Sequence, residues 1–159
     1  MSAAPADADF LARLAALSGE RAAFERALEV TLRHFRAESG TIHRLEGSVL
    51  VLAAHSRGMP PPVLEIIRTI PVGKGMAGLA VERRAPVTAC NLQTDASGDV
   101  RPGARATGLR GSIVVPMLVG EEPCGALGIA NQAERTFSPE ETELLLAAGR
   151  VLAGFPASA

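Results

Sequence analysis

Hydrophobic positions recur at helical spacing in the first third of the chain. Phe10, Leu11, Leu14 and Leu17 predict a first helix capped by Asp7 or Asp9, and Ser18-Gly19 interrupts it. A second helix is predicted over Glu20–Arg36, with Phe24, Ala27, Leu28, Thr31, Leu32 and Phe35 on its buried stripe. Arg26, Glu29 and Arg33 fall on the wet face, and Glu29 and Arg33 have the spacing of a weak ion pair. After Gly40 the period changes. Thr41–Leu45 and Ser48–His55 read as strands joined by a turn at Glu46-Gly47, and the unbroken apolar run 49–54 predicts a central strand covered on both faces.

The run Gly58-Met59-Pro60-Pro61-Pro62 breaks this pattern, and a short helix follows over Pro62–Arg68. Thr69–Val72 is a short extended piece, Gly73-Lys74-Gly75 a glycine loop, Met76–Glu82 a two-turn helix and Pro86–Cys90 a short strand. Asn91–Arg110 has no period, and a loop of this length in a compact domain marks function or mobility. Gly111–Leu118 and Pro123–Ala130 form the clearest hairpin, closed by Val119–Glu122. The last helix has Ser138 as N-cap, Pro139 at the first helical position and Glu141 completing a capping box; Gly154 and Pro156 stop it. Helices, hairpin, helical crossover, hairpin and helix make an α+β fold rather than a doubly wound parallel sheet. The expected organisation is a flexible N-terminus over 1–6, one domain over 7–155 and a flexible tail over 156–159.

Composition narrows the function. The formal net charge is −1, with no Tyr and no Trp, so neither a basic footprint nor a stacking platform for nucleic acid is present. No run of 18 apolar residues predicts a membrane span, and the first ten residues lack the basic and apolar regions of a signal peptide, so a cytoplasmic location is expected. Cys90 and Cys124 form no metal-binding spacing and read as two small buried hydrophobes. Hydrolase motifs of the G-x-S-x-G and H-E-x-x-H kinds are absent.

Gly73, Gly75 and Gly78 match G-x-G-x-x-G, and Asp95 stands where a ribose-binding acid would fall. The preceding strand is too short, and Pro86 forbids the long crossover of a dinucleotide-binding unit. The glycines read better as a sharp turn and a close helix–sheet approach. An anion at this helix start, helped by Lys74, is a second reading.

The segment Ile70-Pro71-Val72-Gly73-Lys74-Gly75-Met76-Ala77-Gly78-Leu79-Ala80, followed by Arg84-Ala85-Pro86-Val87, resembles the signature of GAF domains. So do Ser112-Ile113-Val114-Val115-Pro116-Met117, Gly125-Ala126-Leu127-Gly128-Ile129, and Asn131 followed by Phe137-Ser138-Pro139-Glu140-Glu141. The likeness spans about Phe10–Phe155. It implies a GAF-like central antiparallel sheet with the N- and C-terminal helices on one face. On the other, short helices and the long loop would cover a small-molecule pocket. Carried onto this chain, that pocket lies under Pro62–Arg68, Met76–Glu82 and Asn91–Arg110, over a floor around Ser112 and Val114. Ligand-binding candidates are Arg101, Arg105, Arg110, Ser112, Asn91 and Met76, the arginines suiting an anionic ligand.

The resemblance implies a sensory or regulatory domain that binds a small molecule of unknown identity and signals through a homodimer of its terminal helices, to a signalling partner protein. A ligand-free dimerisation or interaction module is the alternative. No nucleic acid, membrane or metal enters this picture, and no cofactor is identified. Cyclic-nucleotide members carry Asn-Lys and Phe-x-x-x-Asp-Glu, and this chain departs from both. Bilin attachment at Cys90 lacks aromatic support, and haem ligation is as weakly supported, with His34 expected on a helix surface and His43 and His55 in the sheet. Free methionine sulfoxide reductases, which the chain also resembles, use cysteines in the glycine segment and the long loop; here Ala77 stands in the first place, and the loop past Cys90 has no thiol. A non-enzymatic role is expected.

Overall fold

The computed structural model describes residues 5–100, 105 and 107–156. In chain order the elements are α1 (Pro5–Ala16), α2 (Ala23–Phe35), β1 (Ser39–Glu46), β2 (Val49–His55), α3 (Pro61–Ile67), β3 (Thr69–Pro71), α4 (Gly75–Arg83), β4 (Val87–Ala89), β5 (Gly111–Val119), β6 (Glu122–Asn131) and α5 (Pro139–Ala153). The strands form one antiparallel sheet in the order β3-β2-β1-β6-β5-β4. The α+β class and the GAF-like arrangement are as expected.

Two cores sandwich the sheet. On one face Phe10, Leu14, Phe24, Leu28, Leu145 and Leu152 of the long helices pack on Ile42, Ile113, Val115 and Leu127. On the other, Met76, Ala80 and Val81 of α4 pack with Leu92 and Val100 on Leu50, Val114 and Ala126. Alternation along β5 and β6 feeds both cores, which is why Gly111–Leu118 and Gly125–Asn131 are buried without a break.

Several expectations are corrected. The second helix starts at Ala23, not Glu20, because Ala22 is left-handed (φ 54) and breaks the helical course. α1 starts at Pro5, and Asp7 does not cap it; its carboxylate instead meets His34 Nε2 at 2.9 Å, across to α2. β2 is not central. It lies second from the edge beside three-residue β3, and its apolar run is only half-buried; β1 and β6 take the middle. Glu29 faces Arg57 at 3.7 Å rather than pairing with Arg33. Cys90 is exposed just past β4 and not buried, while Cys124 is half-buried on β6.

α5 follows its sequence signature. The Glu141 backbone N–H donates to Ser138 Oγ at 3.0 Å, and the Ser138 N–H donates back to Glu141 Oε1 at 2.9 Å. This capping box satisfies two orphan donors at once.

Candidate ligand cavity

The glycine segment sets the opening of α4. Gly73 and Gly75 both have positive φ (89 and 65), which side-chain-bearing residues adopt at a cost. Gly78 has another task. A Cβ there would lie 2.5 Å from Pro71 O and 3.0 Å from Gly73 N, so its bareness lets the helix press on the preceding turn. The Gly73 N–H closes that turn on Gly78 O at 2.9 Å. Lys74 is the N-cap in extended backbone and supplies no side-chain cap. The first amides of α4 have no intrahelical acceptor, as at every helix start, and Gly75, Met76 and Ala77 all stand on the wall of a cavity.

That cavity measures about 170 Å³. Its floor is sheet: Ser39, Gly40 and Thr41 of β1, Gly128, Ile129 and Ala130 of β6, Ser112 and Val114 of β5. Its cover is Val63, Ile66 and Ile67 of α3, Ile70, the start of α4, and Leu92, Thr107 and Leu109 of the long loop. The lining is mostly apolar, and Lys74 is the one charged residue on it among the described residues. Its side chain has no ion-pair partner there. Ser112 is buried and donates its hydroxyl to Ile129 O at 3.1 Å, which leaves oxygen lone pairs to accept from an occupant.

Of the residues singled out from sequence, Met76 and Ser112 line the cavity. Asn91, Arg105 and Arg110 do not. The Asn91 amide donates to Glu134 at 2.9 Å and its carbonyl accepts from the Gln93 N–H, so it shapes the loop's entry. Arg105 is exposed and donates to Asp95 O at 2.9 Å. Arg110 is exposed at the loop's exit, its backbone bonded to Leu92 and Asn131. Arg101 lies outside the described residues. The described part of the loop is tied down. Leu92 and Val100 are buried, Gln93 donates to Leu109 O at 2.8 Å, and Arg83 of α4 grips Asp99 through two bonds of 2.9 and 3.1 Å. Those bonds hold the Asp99 carboxyl below its usual range.

Sequence reasoning missed Ser39, Thr41, Met59 and Thr107 on the lining. For Ser39 and Thr41 no local signal exists, because β1–β6 pairing joins segments some ninety residues apart in sequence. No cysteine is on the lining. Cys124 sits on the helix-packed face, where burial pushes its thiol up. Among the described residues no group of three or more His, Cys, Asp or Glu is placed to hold a metal ion, and no helix is long and apolar enough to cross a membrane.

No curated protein sequence matches the chain. Among solved structures, the GAF domain of an Acinetobacter phosphoenolpyruvate-protein phosphotransferase superposes with TM-score 0.77 at 18% identity, covering 96% of this chain and 93% of its own. Free methionine-R-sulfoxide reductase from Neisseria meningitidis, in complex with its substrate, superposes with TM-score 0.72 at 18% identity, covering 96% and 91%. The reduced Staphylococcus aureus enzyme of that kind gives 0.72 at 20%, covering 96% and 97%. At these identities the likeness is one of fold, and the fold houses both enzymes and non-enzymatic domains. The family model for the GAF domain matches residues 18–153, and the chain belongs to that family.

Proposed function

We propose that this GAF domain is a small-molecule sensor that binds a compact, largely apolar ligand with one anionic end. The observation that carries this reading is the cavity between the sheet and α3, α4 and the loop, with Lys74 and the uncapped start of α4 on its wall. A space of about 150 Å³ holds a benzene-sized body, so about 170 Å³ suits a single ring or a short branched chain. A tetrapyrrole or dinucleotide is far larger. Helix-terminal amides and a lysine favour negative charge at one end.

Binding rather than thiol catalysis is supported by the placement of both cysteines. Neither lines the cavity, and Ala77 stands on its wall in the glycine segment. The ligand would order the loop and bias the terminal helices α1 and α5, which we infer to form the homodimer face and to pass the signal to a partner protein. We place the domain in the cytoplasm, which the exposed unpaired thiol of Cys90 suits.

Calorimetric titration tests the reading with a panel of small carboxylates, their neutral amides and matching amines. Saturable binding of a carboxylate over its amide is the expected result. Binding by no member, together with a stable dimer in sedimentation, would replace the sensor with a ligand-free interaction module. Turnover of methionine sulfoxide that is lost when Cys90 is changed to Ser would replace it with an enzyme.

A further inference from the structure

His43 projects from β1 on the cavity side of the sheet, yet it is not part of the lining. It is 2% exposed, and its Nε2 lies 2.8 Å from the carbonyl oxygen of Ile67, the last residue of α3. A carbonyl only accepts, so Nε2 carries the hydrogen and Nδ1 is the bare acceptor of a neutral ring. Nδ1 is buried with no hydrogen-bond partner. The same short helix puts Val63, Ile66 and Ile67 on the cavity. Its own anchorage is slight: seven residues, no side-chain cap, Val63 its one buried side chain, and an Arg68 carbonyl that accepts from the Leu52 N–H at 2.9 Å.

We propose that His43 is a proton-operated latch on the cavity: the neutral ring holds Ile67, and with it α3, closed, and proton uptake at Nδ1 releases the helix. The imidazolium keeps its Nε2–H, but it adds a buried charge and a second donor that has no acceptor. Water can relieve both only if the cover over the ring lifts, and α3 is the weakest part of that cover. Burial holds the ring below its ordinary 6.5, with the Ile67 hydrogen bond working the other way. The closed state is therefore fully favoured above about 6.5 and loses ground as pH falls from there toward the depressed value.

Among the described residues no charged group compensates the ring. On its own strand Arg44 pairs with Glu46 at 3.2 Å, and at the end of α3 Arg68 pairs with Glu65 at 3.0 Å. Glu122 on β6 lies 3.8 Å from Arg84. Lys74, Glu82 and Arg83 at α4 and His55 at the end of β2 are exposed, β3 carries no charge, and none of these groups bonds to the ring.

The test needs no ligand, so it stands or falls apart from the sensor reading. NMR titration follows His43, one of three histidines, while hydrogen exchange follows the α3 amides between pH 7.5 and 5. The expected result is a His43 midpoint below 6.5, and α3 protection that falls by about tenfold for each unit separating the closed and open midpoints. H43Q keeps a donor near the Nε2 position without titrating, and should hold α3 protection flat across the range. A His43 midpoint at or above 6.5, or acid loss of α3 protection that H43Q shares, would overturn the latch. If H43Q does not fold, the wild-type titration and exchange decide alone: a His43 midpoint uncoupled from α3 opening sinks the proposal.

Discussion

The Arg135 guanidinium donates to the Glu141 carboxylate at 2.6 Å and so binds the segment leaving β6 to the first turn of α5. Arg135 also donates to Asn131 Oδ1 at 2.8 Å, and its backbone N–H reaches Cys90 O at 3.2 Å, where the cavity loop begins. One residue thus touches both the root of the loop and the cap of the terminal helix. Burial works against the Glu141 carboxylate, but the Ser138 N–H and Arg135 outweigh it and hold its pKa below the usual 4.5. A carboxyl depressed in the folded state contributes stability that is present above its unfolded pKa and lost as pH falls through the folded one. Arg135→Ala should cost about 1–2 kcal/mol near neutral pH, at the low end for a charge-assisted bond because both side chains are partly exposed. Denaturant unfolding at pH 7 and pH 3 checks this: the wild-type advantage should shrink at pH 3.

Gly78→Ala separates close approach from turn geometry in the glycine segment. The new Cβ would meet backbone, Pro71 O at 2.5 Å, and no side chain could yield. The expected cost is about 2–3 kcal/mol, typical of overpacking that moves backbone. Gly75→Ala meets the positive-φ penalty instead, about 1 kcal/mol. Thermal melts of the two variants should rank in that order.

The parts of this fold legible in the sequence are those whose cause is local. Ser138 and Glu141 cap a helix whatever else the chain does, and Gly73-x-Gly75-x-x-Gly78 marks a turn and a tight contact within one short segment. β2 misled because Val49–Ala54 looks the same whether a strand is central and fully buried or near the edge and half-buried. Arg105 and Arg110 misled for a related reason. Composition counts charges along a loop, but it does not say which side of the loop faces inward. Asp99 finds its partner in Arg83 of α4, sixteen residues back, rather than in Arg105 or Arg110. Lys74 was visible beside the glycines, and only the third dimension shows that it stands on the lining.

That distinction gives a direct contrast for ligand binding. Lys74→Ala should weaken an anionic ligand by about tenfold or more, the loss of roughly one charge-assisted hydrogen bond. Arg105→Ala and Arg110→Ala should leave affinity within about twofold, since long-range attraction from exposed charges is largely screened at physiological salt. Titrations of the three variants with one carboxylate ligand decide it. An arginine variant that loses more than Lys74→Ala would move the anion site out to the loop.

Gly128 offers a test of the cavity that does not depend on charge. It stands on the floor, paired with Thr41 of β1 and Val114 of β5. A Cβ there would lie 3.1 Å from Val114 Cγ2 and 3.6 Å from Thr41 Oγ1, both at the ends of side chains that line the cavity. Those side chains can turn into the open space, so Gly128→Ala should fold normally. Its stability should hold or rise by up to about 1 kcal/mol as alanine replaces glycine in a strand. The added methyl and the displaced Val114 nevertheless shrink a space of about 170 Å³. One methylene in an apolar pocket is worth about 1–3 kcal/mol of discrimination, so affinity should fall by at least about fivefold. The two effects point in opposite directions and are read on one sample, by melting and by titration. Unchanged affinity in a well-folded Gly128→Ala protein would place the ligand outside this cavity, whatever Lys74 does.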